Sequence, residues 1–144
     1  QPGPYIRRVG GRVLTDEEML QYYSGLAREF GLLHACYCTA FAGVDEEGRD
    51  AVFFQDDPRD ADFFRAFGFL MCSHPHEKRN PGWPLDSLSM DPYFQRYWFD
   101  IADSEYEIPE LAPIRQLQTH FQVRVTAFLE QFFRLQRKQP LENH

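Results

Sequence analysis

Long apolar runs, basic clusters and a large cysteine complement are all missing from these 144 residues. No stretch approaches the roughly 20 apolar residues that cross a bilayer as a helix, so no membrane partner is expected. Lys and Arg together number 15 against 22 Asp and Glu, for a formal net charge of -7. The only adjacent cations worth noting are the pairs Arg7-Arg8, Lys78-Arg79 and Arg137-Lys138. A nucleic-acid binder gathers its cations on one face to neutralise several phosphates, whereas dispersed cations on an acidic chain repel the polyanion. Nucleic acid is therefore not an expected partner. Three cysteines are few and odd in number, which fits a reducing compartment, and the expected location is the cytoplasm. No charged-then-apolar signal segment stands at the N-terminus, and Gln1 suggests that the chain begins inside a longer one.

Sequence signatures of chemistry are equally sparse. There is no glycine-rich phosphate loop, no G-x-S-x-G elbow and no calcium loop, so nucleotide hydrolysis and serine hydrolase chemistry lose their support. Asn80 is followed by Pro81, which excludes it as a glycosylation acceptor. No internal repeat or low-complexity tract is present.

What the chain does have is aromatic residues. Fourteen Phe, seven Tyr and two Trp bring the aromatic share to 16%, and each one buried removes about 150–250 Å² from water. A chain this long buries roughly 68–70% of its unfolded surface around one core, so stability by itself demands neither metal nor disulfide and no cofactor is expected. The expectation is one α+β domain over residues 1–144, in which 1–13, with two Pro and three Gly, form an extended N-terminal arm ending in a short strand.

Thr15 with Glu18 fits a capping box, with Leu14 and Met19 at the staple positions that fix the angle at which the chain enters the helix. Met19, Tyr22, Tyr23, Leu26, Ala27 and Phe30 recur at helical spacing up to Gly31, which predicts a helix over 16–30. From 32 to 43 the residues suit a strand covered on both sides, and 49–55 suit a second strand joined to it through the polar connector at 44–48. Asp57 and Pro58 predict the start of a short helix that ends at Gly68, and 69–73 predict a further strand. The proline-rich stretch 76–92 reads as a long loop. Residues 93–102 suit either an aromatic strand or a helix capped by Asp91, and 103–107 a solvated acidic connection. The final helix is predicted over 113–138, where Ile114, Phe121, Phe128 and Leu135 repeat every seven residues. Its companion positions drift through Leu117, Val125 and Phe132, and Arg124 and Gln131 stand where a coiled coil wants apolar residues. This helix is expected to lie across a mainly antiparallel sheet made of the segments near 32–43, 49–55 and 69–73. Its surplus apolar residues Leu129 and Phe133 would then be available for a homodimer contact.

Two constellations bear on function. His34, Cys36 and Cys38 alternate in one predicted strand, and Cys72, His74 and His76 alternate at the end of another. Alternate strand residues share a face, so neighbouring strands would bring S and N donors together around zinc. Cysteine is also a small core hydrophobe, and neither CxxC nor HExxH spacing occurs. A thiol paired with a nearby His is the nucleophilic version of the same constellation. The carboxylate pairs Asp56-Asp57, Asp60-Asp62 and Glu105-Glu107 are more simply helix caps or solvated charges. The second constellation is aromatic: Trp83, Tyr93, Tyr97 and Trp98 stand in or beside the 76–92 loop, and amphipathic aromatics are favoured at binding surfaces. The functional expectation is a non-enzymatic binding or regulatory module that recognises a small molecule or a protein partner through 76–98. The alternative is a metal-dependent or thiol enzyme that uses the His/Cys runs.

Overall fold

In the computed structural model of the chain, which describes residues 5–55 and 61–137, the local signals around Thr15 act as their spacing predicts. Thr15 Oγ1 accepts from the Glu18 N–H at 3.2 Å, and the Glu18 carboxylate accepts from the Thr15 N–H at 2.8 Å. With those donors satisfied, α1 runs over Asp16–Phe30 and Gly31 closes it at φ 84°, a conformation that glycine adopts without steric cost. The arm before it is more than extended. Gly10 and Gly11, at φ 58° and 81°, turn the chain so that β1 (Arg8–Val9) and β2 (Arg12–Val13) pair as a hairpin. Positive φ at both central residues is what such a two-residue turn requires.

The architecture is α+β with antiparallel sheets, an N-terminal helix and a long C-terminal helix. Two compact units compose it: Gln1–Cys36 with Gly68–Glu107, and Tyr37–Phe67 with Ile108–His144. The stretch 32–43 is two strands rather than one, β3 (Leu33–Cys36) in the first unit and β4 (Ala40–Val44) in the second. The reason lies in the partner strand. Helix α2 (Ala61–Phe67), the last element of the second unit before the chain returns to the first, is followed directly by β6 (Gly68–Met71) of the first unit, and β6 pairs with β3 from Met71 opposite Leu33 to Gly68 opposite Cys36. Beyond Cys36 the ladder has no further β6 residue to pair with. The expected stop at Gly68 is therefore the start of a strand, and the caps expected at Asp57 and Pro58 lie outside the described residues.

In the first unit α1 packs on a sheet of order β3, β6, β7, where β7 is Ser89–Met90. Met19, Leu20 and Tyr23 of α1 meet Phe69 and Met71 of β6 in one buried cluster with Leu14, Leu85 and Leu88. Fully burying such side chains stabilises by about 1.5–3 kcal/mol each. The 76–92 stretch is thus divided: residues 77–83 are exposed, as a surface loop would be, whereas most of Pro84–Ser89 is buried in the core. Its Pro84–Leu88 segment winds into a 3₁₀ turn, whose i, i+3 spacing sends both Leu85 and Leu88 under α1. Residues 93–102 are neither strand nor continuous helix. Asp91 does cap a turn, its Oδ1 accepting from the N–H groups of Tyr93 and Phe94, but Gln95 at φ 53° stops it. The chain then touches Met90 in a single bridge at Tyr97 and makes a 3₁₀ turn at Trp98–Asp100. The acidic tract also has structure, a 3₁₀ turn over Asp103–Glu107. Its Glu105 pairs with Arg96 at 2.5 Å and accepts from the Ala102 N–H.

In the second unit β4 pairs with β5 (Asp50–Phe54) as the expected hairpin. Its turn is closed by Asp45, whose Oδ1 accepts from the N–H groups of Glu47 and Arg49 at 3.0 and 2.8 Å. The inner face lies on α3 (Ala112–Arg137), with the Phe53 ring 6.0 Å from Phe121 and 5.7 Å from Phe128. Phe67 of α2 meets Phe121 at 5.3 Å, and Gln118 Nε2 donates to the Ala66 carbonyl. Of the heptad positions of α3, Phe121 and Phe128 face this layer, and the side chain of Leu135 lies outside the described residues. The single sheet expected from three segments is replaced, because 69–73 pairs with β3 in the first unit and α3 rests on a two-stranded hairpin.

Glycine is required at one point of this contact: a Cβ on Gly43 would stand 2.6 Å from Cζ of Phe132. Gly43→Ala is expected to cost about 1–3 kcal/mol through overpacking, read as a lower urea midpoint with an unchanged slope. The double variant with Phe132→Leu should recover part of the loss.

Candidate functional site

The densest group of chemically capable side chains forms where β6 leaves its sheet. Cys72, buried, is held by its N–H on the Leu88 carbonyl at 3.0 Å. Its sulfur donates to the His74 carbonyl at 3.1 Å and stands 3.3 Å from Tyr97 Oη. Tyr97 Oη donates to the same carbonyl. Burial first, then the bond with Cys72 and the negative charge of Asp100, push the Tyr97 phenol up to about 12. Tyr97 is thus a fixed donor throughout the physiological range. Its ring stands edge-on to His76 at 5.2 Å, and Phe99 covers His76 at 5.3 Å.

The tautomer of His76 follows from its partners. Nδ1 takes the backbone N–H of Lys78 at 3.0 Å and so must be the acceptor. Nε2 then carries the proton and donates to Asp100 Oδ1 at 3.2 Å. Both ring nitrogens are engaged, and the sulfur of Cys72 has a carbonyl and a phenol as partners, neither of them a base or a cation of the kind that activates a thiol. Around this centre the His76 N–H donates to the Ser87 carbonyl at 2.7 Å, and Ser87 Oγ donates to the Lys78 carbonyl at 2.8 Å. The arrangement latches the 72–79 segment onto the 97–100 segment. His74 itself is exposed, its Nδ1 3.0 Å from Ser73 Oγ.

The six soft donors are only partly assembled. His34 and Cys36 share the β3 face opposite to Leu33 and Ala35, which pack on the core. Antiparallel register sets Cys36 across from Gly68, however, and Cys72 follows Met71 at the other end of β6. Four residues at about 3.3 Å each separate the two ends of that ladder by roughly 13 Å, beyond the reach of one metal ion's ligands at about 2.0–2.3 Å. Cys38 lies past the end of β3, in the second unit. Among the described residues no three His, Cys, Asp or Glu side chains gather as a metal site. Of the carboxylate pairs, Asp62 stands 3.7 Å from Arg65 in an exposed ion pair and Glu105 pairs with Arg96, whereas Asp56, Asp57 and Asp60 lie outside the described residues.

The four aromatics separate by exposure. Trp98 is half-buried, packed 5.2 Å from Phe69 against the core. Tyr97 belongs to the latch. Tyr93 is 51% exposed and Trp83 60%. Trp83 is presented on a turn fixed from both sides. The Gly82 N–H donates to Asp16 Oδ2 at 2.8 Å and the Gly82 carbonyl accepts from Arg7 at 2.9 Å, while Arg7 and Asp16 pair with each other at 2.7 Å. Within the turn, the Trp83 N–H reaches the Asn80 carbonyl and Asn80 Nδ2 reaches Asp86.

Comparison with family models, with curated proteins and with solved structures finds no match.

Sequence reasoning missed Arg7 and Asp16 as the holders of the Trp83 turn, since Asp16 there is only a first-turn helix acid. The Gly82 N–H and the Arg7 guanidinium hold its carboxyl below the ordinary value of 3.8. Asp91 is likewise more than a cap, because its Oδ2 accepts from Tyr106 Oη at 3.1 Å. Burial, reinforced by that carboxylate, pushes the Tyr106 phenol up. Among the described residues no helix is long and apolar enough to cross a membrane.

Two outcomes follow. Tyr97→Phe is expected to cost about 0.5–1.5 kcal/mol, the net worth of a hydrogen bond. Since the folded phenol titrates near 12 against an ordinary 10.0, its contribution is fully present below the unfolded value and is lost as pH rises through the folded one. Urea melts between pH 9 and pH 12 should show a shallower alkaline loss for the variant than for the parent. Treatment with EDTA is expected to leave the melting temperature unchanged; a fall would show that the separated donors meet around a metal after all.

Proposed function

We propose that this chain is a non-enzymatic binding module of the cytoplasm that recognises a protein partner through the 76–98 region, with Trp83 as the anchor and Tyr93 as a second exposed aromatic. The observation that carries this is an indole 60% exposed on a turn whose backbone is clamped by Arg7 and Asp16. A large amphipathic side chain whose backbone is already ordered loses little further entropy on binding, and tryptophan is enriched among residues that dominate interface energetics. Between residues 68 and 107 three cations face seven carboxylates, which supports a basic partner surface. An arginine of the partner would also gain from stacking on the indole face. The three cysteines form no disulfide, in keeping with a reducing compartment. On α3, Leu129 and Phe133 stand exposed, which supports a homodimer contact there as a separate surface.

The test compares partner capture by the full chain and by variants, with cross-linking and mass spectrometry in cells that express it. Trp83→Ala is expected to leave the melting temperature unchanged and to weaken the captured interaction by about 2 kcal/mol, roughly thirtyfold. Asp16→Asn retains the indole but loosens the turn, and should weaken capture by less. If Trp83→Ala and Tyr93→Ala both retain every partner of the parent chain, the proposal fails.

A further inference from the structure

The β4–β5 hairpin of the second unit carries two apolar faces, and α3 lies on one of them. Its inner residues Gly43 and Phe53 meet α3, and Phe41 lies 6.3 Å from Phe53 on the same face. The outward positions alternate with these, and register sets Ala40 opposite Phe54, Ala42 opposite Val52, and Val44 opposite Asp50. Five of the six are apolar, and the large ones are open to water: Val44 is 66% exposed, Val52 47% and Phe54 70%. An exposed apolar ladder of this kind is uncommon on a surface that serves no contact. The sixth position fixes the kind of contact. Asp50 stands on the same face at the turn end, and Glu46 lies in the adjoining turn. Arg49 is engaged by Asp45 and Glu47, whereas neither Asp50 nor Glu46 enters an ion pair among the described residues.

We infer that the outward face of the β4–β5 hairpin is a docking surface for a basic amphipathic helix of a partner protein, its apolar stripe on Phe54, Val52 and Val44 and a Lys or Arg against Asp50. The spacing is specific. From Phe54 to Asp50 is four strand residues, roughly 13 Å, which a helix rising 1.5 Å per residue covers in about eight or nine residues. The cation is therefore two turns or slightly more along the helix from the residue that covers Phe54. A second copy of this chain fits the face poorly. Two such faces related by a two-fold axis set Asp50 either beside its own mate or over the partner's apolar end, uncompensated in both cases, on chains that each carry a net charge of -7. The exposed apolar side chains also supply roughly 400 Å² at most, short of the about 800 Å² per partner of a stable dimer.

The experiment titrates the full chain with a synthetic helix-forming peptide of Leu, Ala and Lys, its leucines at i, i+3 and i+4 and its lysines at one end. A control peptide carries Glu in place of Lys. The Lys peptide is expected to bind and the Glu peptide to bind at least about tenfold more weakly. Phe54→Ser should weaken the Lys peptide by about tenfold, with circular dichroism confirming that the variant is folded. Asp50→Lys keeps the apolar ladder intact and is expected to reverse the preference between the two peptides, an outcome that does not depend on how Phe54→Ser folds. Equal binding of both peptides, or binding that neither variant alters, overturns the inference. So does sedimentation showing a dimer of the parent chain that Phe54→Ser dissociates, since the occupant would then be a second copy.

Discussion

Leu88, with 0% of its surface exposed, is the fixed point on which the first unit depends. It is the last residue of the Pro84–Leu88 turn, and burying it beneath α1 commits the chain on both sides of it. Its carbonyl holds the N–H of Cys72, so the exit of β6 is set by the same residue. Ser89 Oγ closes onto the Leu85 carbonyl, and Ser87 Oγ onto the Lys78 carbonyl. Ser87 and Ser89 are themselves buried, and their bonds remove what would otherwise be costly unpaired polar groups in the core. The Trp83 turn and the Cys72–Tyr97–His76 cluster are thus two ends of one pinned segment.

Elements whose determinants are local could be read from sequence. Helix α1 carries its cap, staple and stop within eighteen consecutive residues, Leu14 to Gly31, and nothing distant competes with them. The β4–β5 hairpin was legible for the same reason, an acidic turn between two apolar runs. The division of 32–43 was not, because β3 stops where its partner begins, and Gly68 is thirty-two residues away in sequence from Cys36. A two-residue strand such as β7 offers no period to detect, and prolines at 75, 81, 84 and 92 suggest a surface loop even though Leu85 and Leu88 sit inside. Exposure was the least legible property of the site. Trp83 and Trp98 are alike as sequence, and only the packing of Trp98 on Phe69 distinguishes the half-buried indole from the exposed one. In the same way the alternation of His34 with Cys36 was visible, but the register that separates Cys36 from Cys72 is a property of the sheet.

The polar groups of the latch are engaged with one another. A catalytic histidine needs a ring nitrogen directed at a reacting atom, and His76 spends both on Lys78 and Asp100. The Tyr97 hydroxyl, the Cys72 thiol and the His74 carbonyl satisfy one another in a group half-covered by protein. Networks of this kind specify one geometry among the many that a proline-rich segment can adopt. The latch fixes the segment that runs on to Trp83, while the Arg7–Asp16 pair fixes the turn from the other side.

The second unit poses the complementary problem, which is how a chain tolerates an apolar ladder open to water. A two-stranded sheet leaves both of its edges unpaired, and exposed apolar edges are templates for aggregation. The countermeasures present here are electrostatic. Asp50 caps the ladder on its own face and Glu46 lies beyond it, so a second copy meeting this face with its own brings like charges together within about a Debye length. These same charges leave one class of visitor unopposed, an apolar helix that brings cations of its own. Discrimination of this sort depends on penalising the wrong partner as much as on attracting the right one. An uncharged residue at position 50 would retain the apolar attraction and remove the selection, turning a docking face into a liability.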